Sequence, residues 1–252
     1  MATIEHIISR PAVIQENAQN RLREHRFYLA SGIAFAVLVF VGFSKAYYLK
    51  PFFDSKPFYS TLVYFHAGVM TAWVLLFATQ TWLVSAKKVR VHMKLGWIGV
   101  GLALLVLVTG YYVSIGAEAH QTAADRGGIP PLAFMIIPIT DLVMFVILFG
   151  AAIAWRKRPA DHKRLMLLTA ANFLPPAAAR FPVESMQALG PIFFFGVPTV
   201  LVIAALTYDV WRSRRLNTAF LVGSILLIAS FPLRLLIAGT DGWMRLAEWL
   251  TA

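Results

Sequence analysis

Apolar segments of about 20 residues recur along the whole chain, and this repetition limits the possible folds more than any other feature. A helix of that length crosses the hydrocarbon core of a bilayer, which is about 30 Å thick. Seven segments qualify, at 28–49, 59–85, 95–115, 131–155, 164–184, 189–211 and 217–238. The fifth is the weakest because Asn172, two prolines and Arg180 interrupt it, so six spans plus a re-entrant segment is the alternative. The sequence predicts an all-α, polytopic membrane helix bundle with seven transmembrane helices.

The composition agrees with a membrane protein and excludes several other classes. Hydrophobic residues make up 59% of the chain and charged residues 14%, whereas soluble domains carry about 25% charged residues. There is no cysteine, which excludes thiolate catalysis, iron–sulfur clusters and thiol-attached haem. The net charge of +11 does not call for nucleic acid as a partner, because cytoplasmic loops of membrane proteins are rich in Lys and Arg.

The distribution of the basic residues predicts the orientation of the chain. With a cytoplasmic N-terminus, 16 of the 23 Lys and Arg residues fall on the cytoplasmic side. This asymmetry recurs at each cytoplasmic loop, as the positive-inside rule requires. We therefore expect a multi-pass protein of the bacterial inner membrane, in contact with the lipid bilayer, with its C-terminus in the periplasm.

The two ends of the chain differ from the spans between them. Residues 1–26 place isolated apolar side chains among polar ones, which is typical of an amphipathic segment lying on a membrane surface. Residues 239–252 have the same character on the opposite side. The predicted organisation is a cytoplasmic amphipathic segment (1–26), a seven-helix transmembrane domain (27–238) and a periplasmic amphipathic segment (239–252).

Polar side chains inside the predicted spans need an explanation, because inserting an ionisable one costs about 2.5–3.5 kcal/mol. His66, Trp73 and Gln80 are seven residues apart, so they form one stripe on the second span. The polar residues of later spans are Asp141, Arg180 and Arg234. We expect all six to line an outward-facing pocket for a substrate or a quinone. The alternatives are a hydrogen-bonded helix seam for the stripe and a structural ion pair between Asp141 and Arg180.

A second set of polar residues lies at the cytoplasmic boundary. His92 begins the third span and His162 begins the fifth, so both stand at the same membrane level. The pair is suited to hold one haem or metal ion as axial ligands, with the propionates held by nearby cations. Those cations are Lys94, Lys163 and Arg164. The alternative is that the two histidines contact lipid headgroups in ordinary basic loops.

The pattern His66…Gln80…His92-x-x-x-Gly96 resembles a group of uncharacterised bacterial multispan inner-membrane proteins. It is more loosely similar to the membrane cytochrome b and ferric-reductase-like superfamily. The run His162-Lys163-Arg164-Leu165-Met166 is similar to the first group specifically, and the likeness covers most of residues 27–180. In the haem superfamily the ligands pair at matched depth. Because His66 has no intramembrane partner at its depth, the resemblance implies a single haem b on the cytoplasmic side.

Three functions follow from these observations. The first is haem-dependent electron transfer through His92 and His162, with an outer site for substrate or quinone near His66. The second is a small-molecule or proton-coupled transporter or binder that uses the outer polar pocket. The third is an accessory subunit of a larger membrane complex, in which an aromatic surface packs against partner subunits. The sequence does not decide whether the protein is an enzyme.

Overall fold

The computed structural model of the chain describes residues 2–53, 58, 60–116, 120, 122–123 and 128–252, with side chains from residue 19 onward. The long helices are α1 (Ala2–Gly42), α2 (Thr61–Ser85), α3 (Val89–Gly116), α5 (Ile136–Ala154), α6 (Pro159–Asn172), α9 (Pro191–Ser213), α10 (Thr218–Ile237) and α11 (Asp241–Thr251). The one-turn helices are α4 (Pro131–Phe134), α7 (Pro175–Ala178) and α8 (Glu184–Gln187). A π-helical turn at Ser44–Tyr48 and a 3-10 turn at Lys50–Phe52 follow α1.

Six regions are long and apolar enough to cross a membrane. They are Gln19–Gly42, Thr61–Ser85, Val89–Gly116, Pro131–Ala154, Pro191–Ser213 and Thr218–Ile237. The described residues contain no strand. The prediction of an all-helical, multi-pass membrane protein is therefore confirmed. The predicted amphipathic segment at the N-terminus is a continuous part of α1, and its side chains before residue 19 lie outside the described residues.

The predicted fifth span, 164–184, is not one of these six helices. It is divided between α6, α7 and α8, and α6 ends at Asn172. Pro175 and Pro176 explain the break, because proline lacks a backbone N–H and clashes with the preceding turn of a helix. Pro175 instead occupies the first position of α7, where proline is tolerated.

The broken segment lies at the centre of the bundle. Helix α6 contacts α1, α5, α9 and α10. Leu168, Thr169 and Asn172 on it are fully buried, with 0% exposure. A helix surrounded by other helices needs little apolar surface toward lipid, and broken backbone is tolerated at membrane depth when protein covers it. This position accounts for the low hydropathy of the segment.

Contacts along α1 show the path of the broken segment from α6 to α7. At one end Lys163 of α6 forms an ion pair with Glu24 of α1. At the other end α7 lies so close to α1 that a Cβ atom on Gly42 would be 2.2 Å from the carbonyl oxygen of Ala177. The segment from α6 to α7 therefore runs parallel to α1 over the length of its apolar part.

One end of the bundle collects basic side chains, and we call it the basic end. The connections 86–88, 155–158 and 214–217 lie there, beside the first residues of α3, α6 and α10. Side-chain contacts hold these elements together: the Nδ2 atom of Asn217 donates to Oδ1 of Asp161 over 2.6 Å. Helix α11 lies at the opposite end, where the indole nitrogen of Trp243 donates to the carbonyl oxygen of Leu132 over 2.9 Å.

The close approach of α1 and α7 gives a test of the central packing. We expect Gly42→Ala to lower the free energy of unfolding by about 1–3 kcal/mol, because the added methyl group overlaps the backbone of Ala177. Gly68→Ala is the matched control, since a Cβ atom at Gly68 meets nothing within 4 Å. Thermal unfolding of both variants in the same detergent measures the difference. Equal stability of the two variants would show that α1 and α7 are not in contact.

Candidate functional site

The structure brings His92 and His162 together at the basic end. Each is the fourth residue of its helix, α3 for His92 and α6 for His162, so the two helix beginnings place both rings at one level. The ring centroids are 6.3 Å apart and the ring planes are inclined by 78°. We call these two residues the histidine pair.

A hydrogen bond fixes the orientation of the His162 ring. The Nδ1 atom of His162 donates to the carbonyl oxygen of Ala152 over 2.8 Å, because a carbonyl can only accept. This bond leaves Nε2 of His162 as the nitrogen with a free lone pair, the arrangement found in metal-ligating histidines. The Nδ1 atom of His92 is buried and has no hydrogen-bond partner among the described residues. The His92 backbone is held separately, because Nε2 of Gln80 donates to its carbonyl oxygen over 3.3 Å.

The distance between the two ring centroids can be compared with the distances expected for two histidines on one metal ion. A metal–imidazole bond is about 2 Å long, so two imidazoles on opposite sides of one ion have centroids roughly 6 Å apart. Two imidazoles at the corners of a tetrahedron have centroids roughly 5 Å apart. The observed 6.3 Å is close to the first value, so one ion would fit between the two rings once a nitrogen of each ring faces it. In the described part of the chain, no group of three or more His, Cys, Asp or Glu side chains is placed to hold a metal ion.

Two of the three cations predicted to hold propionates are engaged with other groups. Lys163 forms an ion pair with Glu24. Arg164 is 5% exposed and donates twice to Asp209, from Nε to Oδ2 over 2.9 Å and from Nη2 to Oδ1 over 2.8 Å. Lys163 is thus directed toward α1, and Arg164 is directed toward α9. Lys94 is exposed on α3, two residues beyond His92, a spacing that directs the two side chains to different faces of the helix.

These ion pairs extend into a larger cluster, which we call the basic-end network. Arg212 of α9 donates from Nη1 to Oε2 of Glu24 over 3.1 Å, and its Nη2 atom lies 3.8 Å from Oδ1 of Asp209. The members are Glu24, Lys163, Arg164, Asp209 and Arg212. The network ties the beginning of α6 to α1 and α9, and thereby fixes the helix that carries His162.

The predicted outer pocket is not assembled as one site. Asp141 forms an ion pair with Arg234, and we call these two residues the central ion pair. They are 4% and 1% exposed, respectively. Arg180 lies elsewhere, exposed at the end of α7, where its Nη1 atom donates to the carbonyl oxygen of Pro176 over 2.9 Å. The structure thus pairs Asp141 with Arg234 and not with Arg180, the partner named in the alternative interpretation. Arg234 on α10, rather than Arg180 beyond α7, faces α5.

The central ion pair is embedded in further polar contacts. Nη2 of Arg234 donates to Oγ of Ser230 over 3.1 Å, and its guanidinium lies over the Phe231 ring, 5.2 Å from the centroid. Asn172 donates from Nδ2 to the backbone oxygen of Asp141 over 2.9 Å. The sequence interpretation used Asn172 only as an interruption of the fifth span. Its position at the last turn of a central helix gives it this second role, which joins α6 to α5.

The stripe predicted on α2 does face the interior of the bundle. His66 donates from Nδ1 to the Thr109 hydroxyl over 2.8 Å, since that hydroxyl itself donates to the carbonyl oxygen of Leu105. Trp73 is 2% exposed and packs edge-on against two rings of α5, those of Phe145 and Phe149. Its indole nitrogen is buried without a hydrogen-bond partner among the described residues. The stripe thus runs from a hydrogen-bonded histidine to Gln80 beside the histidine pair.

Comparison with known proteins finds no family model, no curated protein and no solved structure that matches this chain. The candidate site is therefore defined by its geometry and by its residue types.

Proposed function

We propose that the chain is a membrane redox protein that binds one haem b between His92 and His162. The observation that carries the proposal is the 6.3 Å separation of two imidazole rings that come from different helices. Two rings at this distance would hold one iron between them, and haem bound there would supply one-electron chemistry. The Nδ1 atom of His92 supports it as the ligating nitrogen of that ring, because a buried polar atom with no partner among the described residues is costly unless a bound group takes it up.

The surrounding residues have defined tasks in this site. The carbonyl oxygen of Ala152 holds the tautomer of His162 and raises the basicity of the ligating nitrogen. Gln80 fixes the backbone that carries His92. The basic-end network keeps α6 in place, so that both rings stay in register.

We further propose that the broken segment is the fifth of seven crossings and that the basic end is cytoplasmic. The path from Lys163 beside Glu24 to Ala177 beside Gly42 covers the apolar length of α1, which supports a complete crossing. The concentration of Lys and Arg at the basic end supports its cytoplasmic location. The N-terminus is then cytoplasmic and α11 is periplasmic.

The haem proposal is tested by the visible spectrum of the protein purified from cells supplied with a haem precursor. We expect a Soret band, an α band that sharpens on reduction, and about one haem per chain. A protein that is folded and monodisperse but lacks a Soret band after adequate haem supply would overturn the proposal.

The crossing is tested by cysteine labelling, which is direct because the chain has no cysteine of its own. Ala160→Cys and Leu189→Cys place an exposed thiol in the first turn of α6 and just after α8. In intact cells a membrane-impermeant maleimide should label Leu189→Cys and should reach Ala160→Cys only after permeabilisation. Gly239→Cys, at the beginning of the C-terminal segment, is the control and should behave like Leu189→Cys. Labelling of both loop positions from one side would contradict a seventh crossing.

A further inference from the structure

An apolar groove runs along the outside of α6, between α1 and α9. Its volume is about 340 Å³, within the range of about 300–1,000 Å³ that ligand pockets occupy. Phe35 and Leu38 line one wall, Val202 and Ala205 line the other, and Leu168 and Ala171 of α6 form the floor. The lining is almost entirely apolar.

Small side chains keep the groove open. Ala34 on α1 and Ala204 on α9 line it and are exposed at its edges, so the two helices leave space above α6. The groove is closed toward the basic end by Phe27 of α1 and Tyr208 of α9, whose rings stack with centroids 4.6 Å apart. Because α1 and α9 are membrane-crossing helices by length and composition, the open side of the groove faces lipid tails.

Basic side chains lie immediately beyond the aromatic stack. Arg26 precedes Phe27 on α1 and is exposed. Arg212 follows Tyr208 by one turn on α9, where it is held by Glu24 and Asp209 in the basic-end network. Trp211 beside it is 62% exposed, as is common for tryptophan at a membrane interface. The groove therefore has an apolar interior and a positively charged end at one membrane surface. Basic sites of this kind between transmembrane helices suit anionic lipid headgroups.

We propose that this groove binds one acyl chain of an anionic phospholipid, with the phosphate group beside Arg26, next to the basic-end network and its three cations and two carboxylates. A chain in this position contacts the walls formed by α1 and α9 and the floor formed by α6, so it is enclosed on three sides and held as a ligand rather than exchanged as bulk lipid. This inference is independent of the histidine pair, which lies on other surfaces of the bundle.

The test measures lipid that stays on the chain after exchange. Protein is delipidated in detergent and incubated with vesicles of phosphatidylglycerol and phosphatidylcholine in equal amounts, and native mass spectrometry then counts the bound lipid. We expect one phosphatidylglycerol per wild-type chain. Ala34→Trp and Ala205→Trp fill the groove from its two walls and should each reduce the bound lipid roughly tenfold.

Matched controls separate the groove from general effects of an added tryptophan. Ile33→Trp and Ile203→Trp place the same ring on the same helices at exposed positions outside the groove lining, and should retain the lipid. Equal thermal midpoints for all four variants show that folding is intact, and Arg26→Gln should reduce the preference for the anionic lipid. Equal retention in groove and control variants would overturn the proposal. So would retention of phosphatidylcholine in equal amount, or of a neutral isoprenoid quinone from the cell in place of a phospholipid.

Discussion

His92→Ala and His162→Ala are each expected to reduce the haem content of the purified protein roughly tenfold or more, because loss of a supporting contact alone commonly costs 10–100-fold in metal affinity. Each substitution removes one of two rings whose centroids are 6.3 Å apart. The measurement is haem per chain by pyridine haemochrome, with protein quantified on the same sample. The effect should be the same for either residue, since the iron needs both axial ligands to be held low-spin.

Two further variants separate ligation from a structural role. His120→Ala removes an exposed histidine whose ring donates to the carbonyl oxygen of Gly116, and it should keep the full haem content. His92→Met replaces the imidazole with a thioether that also ligates haem iron, and it should restore binding with a higher reduction potential. Full haem content in both alanine variants, or loss in His120→Ala to the same degree, would contradict the assignment of the histidine pair.

Breaking the central ion pair is expected to be the most destabilising change in the chain. Asp141→Leu and Arg234→Met should each lower the free energy of unfolding by about 3–5 kcal/mol, because the remaining charge is left buried without its partner. The pair is 4% and 1% exposed, so water cannot replace the lost contact. Unfolding in mixed micelles, followed by circular dichroism, measures this loss.

The double variant completes a double-mutant cycle for Asp141 and Arg234, and a surface variant serves as the control. Asp141→Leu with Arg234→Met removes both charges and should be far more stable than either single variant, since apolar replacements of a buried pair are often tolerated. Arg180→Met, at an exposed position, should change the stability by less than about 0.5 kcal/mol. Additive losses in the double variant would show that the two side chains do not interact.

Six membrane helices were predictable from the sequence, because a long apolar run can be recognised without knowing how the helices pack. The fifth predicted span has a weaker hydropathy signal, because α6 is surrounded by other helices and needs little apolar surface toward lipid. Its Asn172 and two following prolines indicated an interruption correctly. They did not indicate that the interrupted segment would occupy the centre of the bundle, which depends on the packing of four other helices.

The candidate site was predictable where residue spacing or helix boundaries determine it. Seven-residue spacing places His66 and Gln80 on one face of α2, and two helix beginnings at one level bring the histidine pair together. The partner of Asp141 was not predictable, because Arg180 and Arg234 were both expected in the outer half and only helix rotation decides between them. Glu24 was missed because it lies among charged residues before the apolar part of α1, where the sequence offers no sign of burial.

The central claim is that one iron is held between His92 and His162, and electron paramagnetic resonance of the oxidised, frozen protein tests it most directly. If His92 and His162 both hold the iron, the protein should give a low-spin ferric signal, as expected for haem iron held by two imidazoles. In His92→Ala and His162→Ala this signal should disappear or be replaced by a high-spin signal. The absence of a ferric haem signal in haem-supplied wild-type protein, or a low-spin signal that survives both substitutions, would contradict the claim.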